Sequence, residues 1–325
     1  MGRGPDFFHS DIIKMSKKKR HHYLARFYLN GFIDPINKPY IWIYEKGNPE
    51  IRKASSKDIA VKKYYYSFIR PDESKDVETL ENAFAQFEDI IAPVIKKITS
   101  EVTLNEDDKR IFSLFLAYSI VKVPNFRESI EETNSKFMKH ILQLTASHNG
   151  GLESIIQNYE KETGKKIGIS PEELRKWILD DKKYEIKTRP EFSLAMLPIA
   201  TELAPVFYNM KWCFVGATDE YKFPTCDNPF FFCDPTHDHR SFYGVGLLAK
   251  NTEISFPISR NWLLSGTWEG REGQINGTNA LVKEFTRRTV CSAQRYVFAS
   301  EKSESLNRMV QKYVRSAPRI QIGGL

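Results

Sequence analysis

Six polar side chains have types and spacings that suit chemistry: His21, His22, Glu81, Glu88, Arg127 and Asp227. Adjacent histidines titrate near neutral pH and can serve as metal ligand or general base. The competing reading is that one of the pair faces a core as a hydrogen-bonded structural histidine. Glu81 and Glu88 are seven residues apart, so on a helix they fall within about 20° of each other. Two carboxylates on one face can hold a divalent cation or act as acid and base, and a solvated helix flank carries the same pattern. Lys122-Val-Pro-Asn-Phe-Arg127 joins two helical patterns and sets Arg127 in a first helical turn. A cation there opposes the helix dipole, so Arg127 calls for a carboxylate or phosphate partner, with Glu88 and Asp227 as internal candidates. Asp227 stands in Thr225-Cys-Asp-Asn-Pro229, a polar turn after a strand that suits backbone capping as well as catalysis.

These residues belong to elements of different kinds. Tyr40 to Tyr44 reads as a strand, and Glu50 to Lys53 returns after a turn-rich stretch, which predicts a hairpin over 40–53. From Val77 the apolar residues Leu80, Phe84, Phe87, Ile91 and Val94 recur at helical steps, with a kink or break expected at Pro93. Thr103-Leu-Asn-Glu106 reads as a capping box ahead of Ile111 to Val123, which is apolar on nearly every side and is expected to be the most buried helix. A third helix follows Pro124, and Ser170-Pro-Glu-Glu173 caps a later one. From Lys211 onward short strands dominate. The pattern predicts an α+β fold in which a helical section packs on an N-terminal hairpin and a C-terminal, mainly antiparallel sheet. Residues 1–14 read as an extension before Met15, and 15–325 as one module: hairpin and core helices to 150, a peripheral helical insertion over 151–188, and a sheet-rich part from 189.

The net charge of +7 invites a nucleic-acid reading, yet five of the positives (Lys14, Lys17, Lys18, Lys19 and Arg20) lie in one run, and without them it falls to +2. A basic arm attracts phosphate by counterion release, whereas the rest of the chain is nearly balanced. The four cysteines form no CxxC pair. With no apolar stretch long enough for a membrane span or a secretory signal, this predicts a cytoplasmic protein with no membrane partner. Cys226, Cys233, His237 and His239 are spaced more loosely than zinc ligands usually are. No phosphate-binding loop, dinucleotide fingerprint, nucleophile elbow or HExxH is present.

The ordered set His21-His22-Tyr23 with Phe27-Tyr28-Leu29, Trp42 and Tyr44, Glu81 to Glu88, Lys122-x-Pro124-x-x-Arg127, Thr225-x-Asp227-Asn228-Pro229, Phe256-Pro257-Ile258-Ser259 and Tyr296-Val297 resembles the uncharacterised bacterial family called domain of unknown function 4238. Leu24-Ala25-Arg26 stands where the family usually has Val-Pro-Gln, and Lys122 where it has arginine. The resemblance implies a single-module protein and no particular reaction. The residues themselves suit metal-dependent phosphodiester hydrolysis, nuclease-like, on nucleic acid or a nucleotide, in a bacterial defence or stress setting. In that reading Glu81, Glu88 and Asp227 hold Mg or Mn, His21 or His22 acts as base, Arg127 stabilises the phosphate, and all of them meet in one cleft. The alternative is a non-catalytic binding module for a ligand or nucleic acid, in which aromatics such as Tyr64-Tyr65-Tyr66 after Lys62-Lys63 stack bases.

Overall fold

The computed structural model describes residues 20–237 and 245–316; the extension 1–14, Lys14 to Lys19 and His239 lie outside them. Among the described residues the first elements are β1 (Arg20–His22), α1 (Arg26–Asn30), β2 (Tyr40–Glu45), β3 (Asn48–Ser55), β4 (Val61–Lys63), β5 (Phe68–Ile69) and β6 (Lys75–Asp76). The expected hairpin is β2 paired antiparallel with β3. A helical section follows: α2 (Thr79–Thr99), α3 (Glu106–Val121), α4 (Pro124–Ser147), α5 (Gly151–Thr163), α6 (Pro171–Leu179), α7 (Pro190–Leu194) and α8 (Ile199–Asn209). The remainder is β7 (Lys211–Gly216), β8 (Thr225–Cys226), β9 (Phe231–Cys233), β10 (Glu253–Pro257), β11 (Trp262–Thr267), β12 (Gly273–Asn276), α9 (Asn279–Ser292), β13 (Tyr296–Ala299) and α10 (Glu304–Lys312).

This is an α+β fold. A five-stranded sheet runs in the order β12-β7-β11-β10-β9, with only the β12–β7 pair parallel, and a four-stranded antiparallel sheet runs β3-β2-β13-β8. Alternation along β7 sends Trp212 and Phe214 into the main core and Cys213 and Val215 into a second cluster under α9. From Ile111 to Val123 no residue is exposed, in accord with a helix apolar nearly all round, and its Ser113 and Ser119 hydroxyls turn back to the carbonyls of Lys109 and Phe115.

Three local expectations need correction. The capping box of α3 is Asn105 with Asp108, not Thr103 with Glu106, and Asp108 is further held by Lys97 at 2.7 Å. α2 runs unbroken through Pro93: the proline lies on the exposed side, where water can serve the Asp89 carbonyl that it leaves without a donor. Tyr64 to Tyr66 form a turn after β4, so their side chains do not alternate as in a strand; Tyr64 is exposed, and Tyr65 and Tyr66 are both buried. Among the described residues no helix is long and apolar enough to cross a membrane.

Candidate functional site

β1 pairs with β4 in the register Arg20↔Lys63, His21↔Lys62 and His22↔Val61. His21 is fully buried, its Nδ1 accepts the Tyr66 backbone N–H at 2.9 Å, and its ring stacks on Tyr66 with centroids 5.7 Å apart. An accepting Nδ1 leaves the proton on Nε2, so His21 is a neutral structural histidine in this arrangement. His22 is half-buried and its Nε2 finds no hydrogen-bond partner among the described residues. Burial, helped by the positive neighbours Arg26, Arg20 and Lys122, pulls its pKa down to about 4. It is therefore neutral at pH 7.

Glu81 and Glu88 do share a face of α2, and Lys122 is the cation beside them. Lys122 caps the C-terminal end of α3 and is buried, with Nζ 3.5 Å from Glu88 Oε1 and 4.0 Å from the centroid of Phe84, one helical turn before Glu88. Burial depresses the lysine and raises Glu88, while each partner's charge opposes the other's shift and Glu81 adds to the field on the lysine. A cavity of about 20 Å³ adjoins the pair, lined by Tyr23, Tyr118 and Ser119 among others. It has room for a single water.

Whereas Lys122 packs on Phe84 and Tyr66, Arg127 packs on Tyr65. Its Nε donates to Glu131 at 2.9 Å, its NH1 donates to the Tyr65 carbonyl at 2.6 Å, and the guanidinium stands 4.9 Å over the Tyr65 ring. The anionic partner demanded by its place in the first turn is thus Glu131, one turn along α4, rather than Glu88 or Asp227. Ser193 of α7 donates to the same Glu131 oxygen at 2.9 Å.

Arg127 opens onto a groove of about 530 Å³ between the β4–β6 segment and α4. Lys62, Lys63 and Lys75 line it with the rings of Tyr64 and Tyr65. Lys75 stands 4.2 Å over Tyr64, and Lys62 stands 5.7 Å over Tyr65. Lys75 is brought there by the β5–β6 hairpin, whose Asp76 binds Arg70 and caps the start of α2 through the backbone of Glu78 and Thr79. The carboxylates in the wall are engaged: Glu128 by Lys62, Glu131 by Arg127, and Glu191 by the Ile69 backbone N–H. Lys63 has no carboxylate partner among the described residues, which leaves the groove with cationic capacity to spare. Tyr64 adopts φ 54°, a left-handed conformation costing an L-residue about 1–2 kcal/mol, and the cost supports an exposed ring. Strain of this kind gathers at functional positions.

Asp227 belongs to neither group. It is buried, with Oδ1 accepting the Gln294 N–H at 2.8 Å and Oδ2 accepting those of Arg295 and Tyr296 at 2.8 and 2.9 Å. Burial raises its carboxyl to about 6, against these three donors and the charge of Lys46. Glu81, Glu88 and Asp227 therefore do not form one ligand set, and among the described residues no group of three or more histidines, cysteines, aspartates or glutamates is placed to hold a metal. The six residues expected to share a cleft are placed as neighbouring groups: His21 against Tyr66, His22, Glu81 and Glu88 near Lys122, Arg127 in the groove, and Asp227 beneath the chain that enters β13. Cys226 is buried, donating to the Asn228 carbonyl. Half of the groove was visible in the Lys62 to Tyr66 run; Lys75 carried no sequence signal, because a second hairpin delivers it.

The fold and site define a protein of mixed helices and antiparallel sheets with a cationic, aromatic-lined groove beside its N-terminal strand. The family model described as "Protein of unknown function (DUF4238)" matches residues 20–303, and the chain belongs to that family. No curated protein and no solved structure matches it.

Proposed function

We propose that the protein binds a phosphate-bearing aromatic ligand, a nucleotide unit, in the groove lined by Lys63, Tyr64, Lys75 and Arg127. The observation that carries this reading is the exposed Tyr64 ring, held in a strained backbone conformation with Lys75 above it and the carboxylate-free Lys63 beside it. A base stacks on the tyrosine or on the cation over it, and the lysines take the phosphate. The groove's volume matches that of small-molecule sites. The metal-dependent cleavage expected from the sequence draws on Glu81, Glu88 and Asp227 as one divalent-ion site. With Glu88 turned to Lys122 and both Asp227 oxygens taken by backbone donors, binding is the reading that the geometry supports.

Titration of a fluorescent mononucleotide tests it. The Lys63→Glu, Lys75→Glu double variant should bind at least about tenfold more weakly, since each lysine contact to a phosphate is charge-assisted, and an affinity equal to wild type would end the proposal. Tyr64→Gly separates ligand binding from fold support. Glycine accepts φ 54° freely, so relief of strain offsets the lost ring contacts. The melting temperature should then move by no more than about 4 °C while binding weakens about fivefold or more. A larger fall in melting temperature with unchanged binding would make Tyr64 a structural residue.

A further inference from the structure

The cation–aromatic pattern continues past the groove. Glu128, bridged to Lys62 at 3.4 Å, also accepts a hydrogen bond from the side-chain amide of Gln294, which links α4 to the chain entering β13. The next two residues build a second platform. The Tyr296 ring has the Arg295 guanidinium 5.0 Å from its centroid and that of Arg52 at 5.5 Å. Arg52 comes from β3 and Tyr296 from β13, on either side of β2, and the register sets Arg52 and Phe298 both opposite Ile43. Tyr296 and Phe298 stack at 21° on this face of the sheet.

That face packs on the same core that Tyr65 of the groove enters. Phe298 belongs to the main core together with Tyr23 and Tyr65, whose rings are 6.2 Å apart, and Tyr296 packs against the same core from its edge. The two solvent-reaching platforms, Tyr64 with Lys75 and Tyr296 with Arg52 and Arg295, are therefore joined along one rim by the Lys62–Glu128–Gln294 bridge, while Tyr65 is buried beneath Lys62 and Arg127. Arg52 is exposed and has no carboxylate partner among the described residues, whereas Arg295 is held by Glu45 at 2.6 Å. At the other end β1 sets Arg20 directly across from Lys63, and the sequence just before it carries Lys17, Lys18 and Lys19.

A mononucleotide needs one platform. Repetition of cation and ring along a rim matches a chain in which bases and phosphates alternate. A guanidinium lying on a tyrosine presents its outer plane to a further base. Bases in a duplex are stacked on one another and closed to such contacts. Resting on the nucleotide-binding groove proposed above, we infer that the groove and the Tyr296 platform form one track for a single-stranded nucleic acid several nucleotides long.

The full chain is titrated by fluorescence anisotropy with a labelled mononucleotide, a single-stranded dodecamer as DNA and as RNA, and the same dodecamer as duplex. The dodecamer should bind at least about tenfold more tightly than the mononucleotide and than the duplex. Arg52→Glu should weaken dodecamer binding about tenfold and leave mononucleotide binding unchanged; Tyr296→Ala should do the same, checked for folding by circular dichroism. Arg52 is an exposed strand residue, so its substitution keeps the test valid even where Tyr296→Ala unfolds the chain. If the mononucleotide binds but length and Arg52 make no difference, or the duplex binds equally well, the track is wrong and the groove stands. If the mononucleotide does not bind, the groove reading fails and the track fails with it.

Discussion

Glu88→Gln should destabilise the protein by about 3 kcal/mol at pH 7, the lower end of what breaking a buried ion pair costs. The ammonium of Lys122 is the reason. Its side chain is 8% exposed, and Glu88 is its carboxylate partner at 3.5 Å; without that charge it keeps the ring face of Phe84 and the more distant field of Glu81. The sign with pH follows. Burial already holds the lysine below its usual range in the folded protein, and removing Glu88 lowers it further. The unfolded chain then binds more protons than the folded one, so the stability of the variant rises with pH relative to wild type. Lys122→Met should cost less, because Glu88 is 25% exposed and can take a proton or reach water. The Lys122→Met, Glu88→Leu double variant should recover most of the loss, since two apolar side chains can refill the site. Urea unfolding of the four proteins from pH 6 to 9 reads all of this, and a Glu88→Gln protein within about 0.5 kcal/mol of wild type would show that the pair contributes nothing.

Asp227→Ala should be as damaging, for a different reason. It strands three backbone N–H groups, of Gln294, Arg295 and Tyr296, at the entry to β13, each a loss of about 1–3 kcal/mol when buried. Because burial raises the carboxyl from 3.8 to about 6, the folded protein holds this proton more tightly than the unfolded chain does. The contribution of Asp227 is greatest below pH 4 and declines as pH climbs to 6, by about 3 kcal/mol over the interval. Asp227→Asn lacks the titration, so the gap between it and wild type should narrow from pH 4 to pH 7. His22, with its pKa lowered to about 4, acts in the opposite sense in part of that window, losing stability as pH falls below about 6.5. Measuring the gap between the two proteins, rather than wild type alone, cancels its contribution. A gap independent of pH would mean that Asp227 titrates as in the unfolded chain.

The sequence by itself determined what neighbours along the chain can enforce. Alternation and the turn formers around Lys46-Gly47 made the β2–β3 hairpin legible, Ser170 and Glu173 marked the start of α6, and a seven-residue spacing put Glu81 and Glu88 on one face of α2. The ordered motifs also carried the family. Tertiary structure decided what each polar group meets. Arg127 needed an anion by a local argument, yet whether that would be Glu131, Glu88 or Asp227 depended on how α4 packs. The carboxylates that looked like metal ligands were divided between a buried lysine and a set of backbone donors, because Lys122 and the 294–296 backbone come from segments far away in sequence. Tyr296 and Arg52 are separated by most of the chain and meet because β13 inserts beside β2. Periodicity records which way a side chain points relative to its own element, through backbone geometry repeated every turn or every second residue. Which partner waits there is set by long-range packing of the core, where side chains from many elements fill one volume and local spacing holds no record of the outcome.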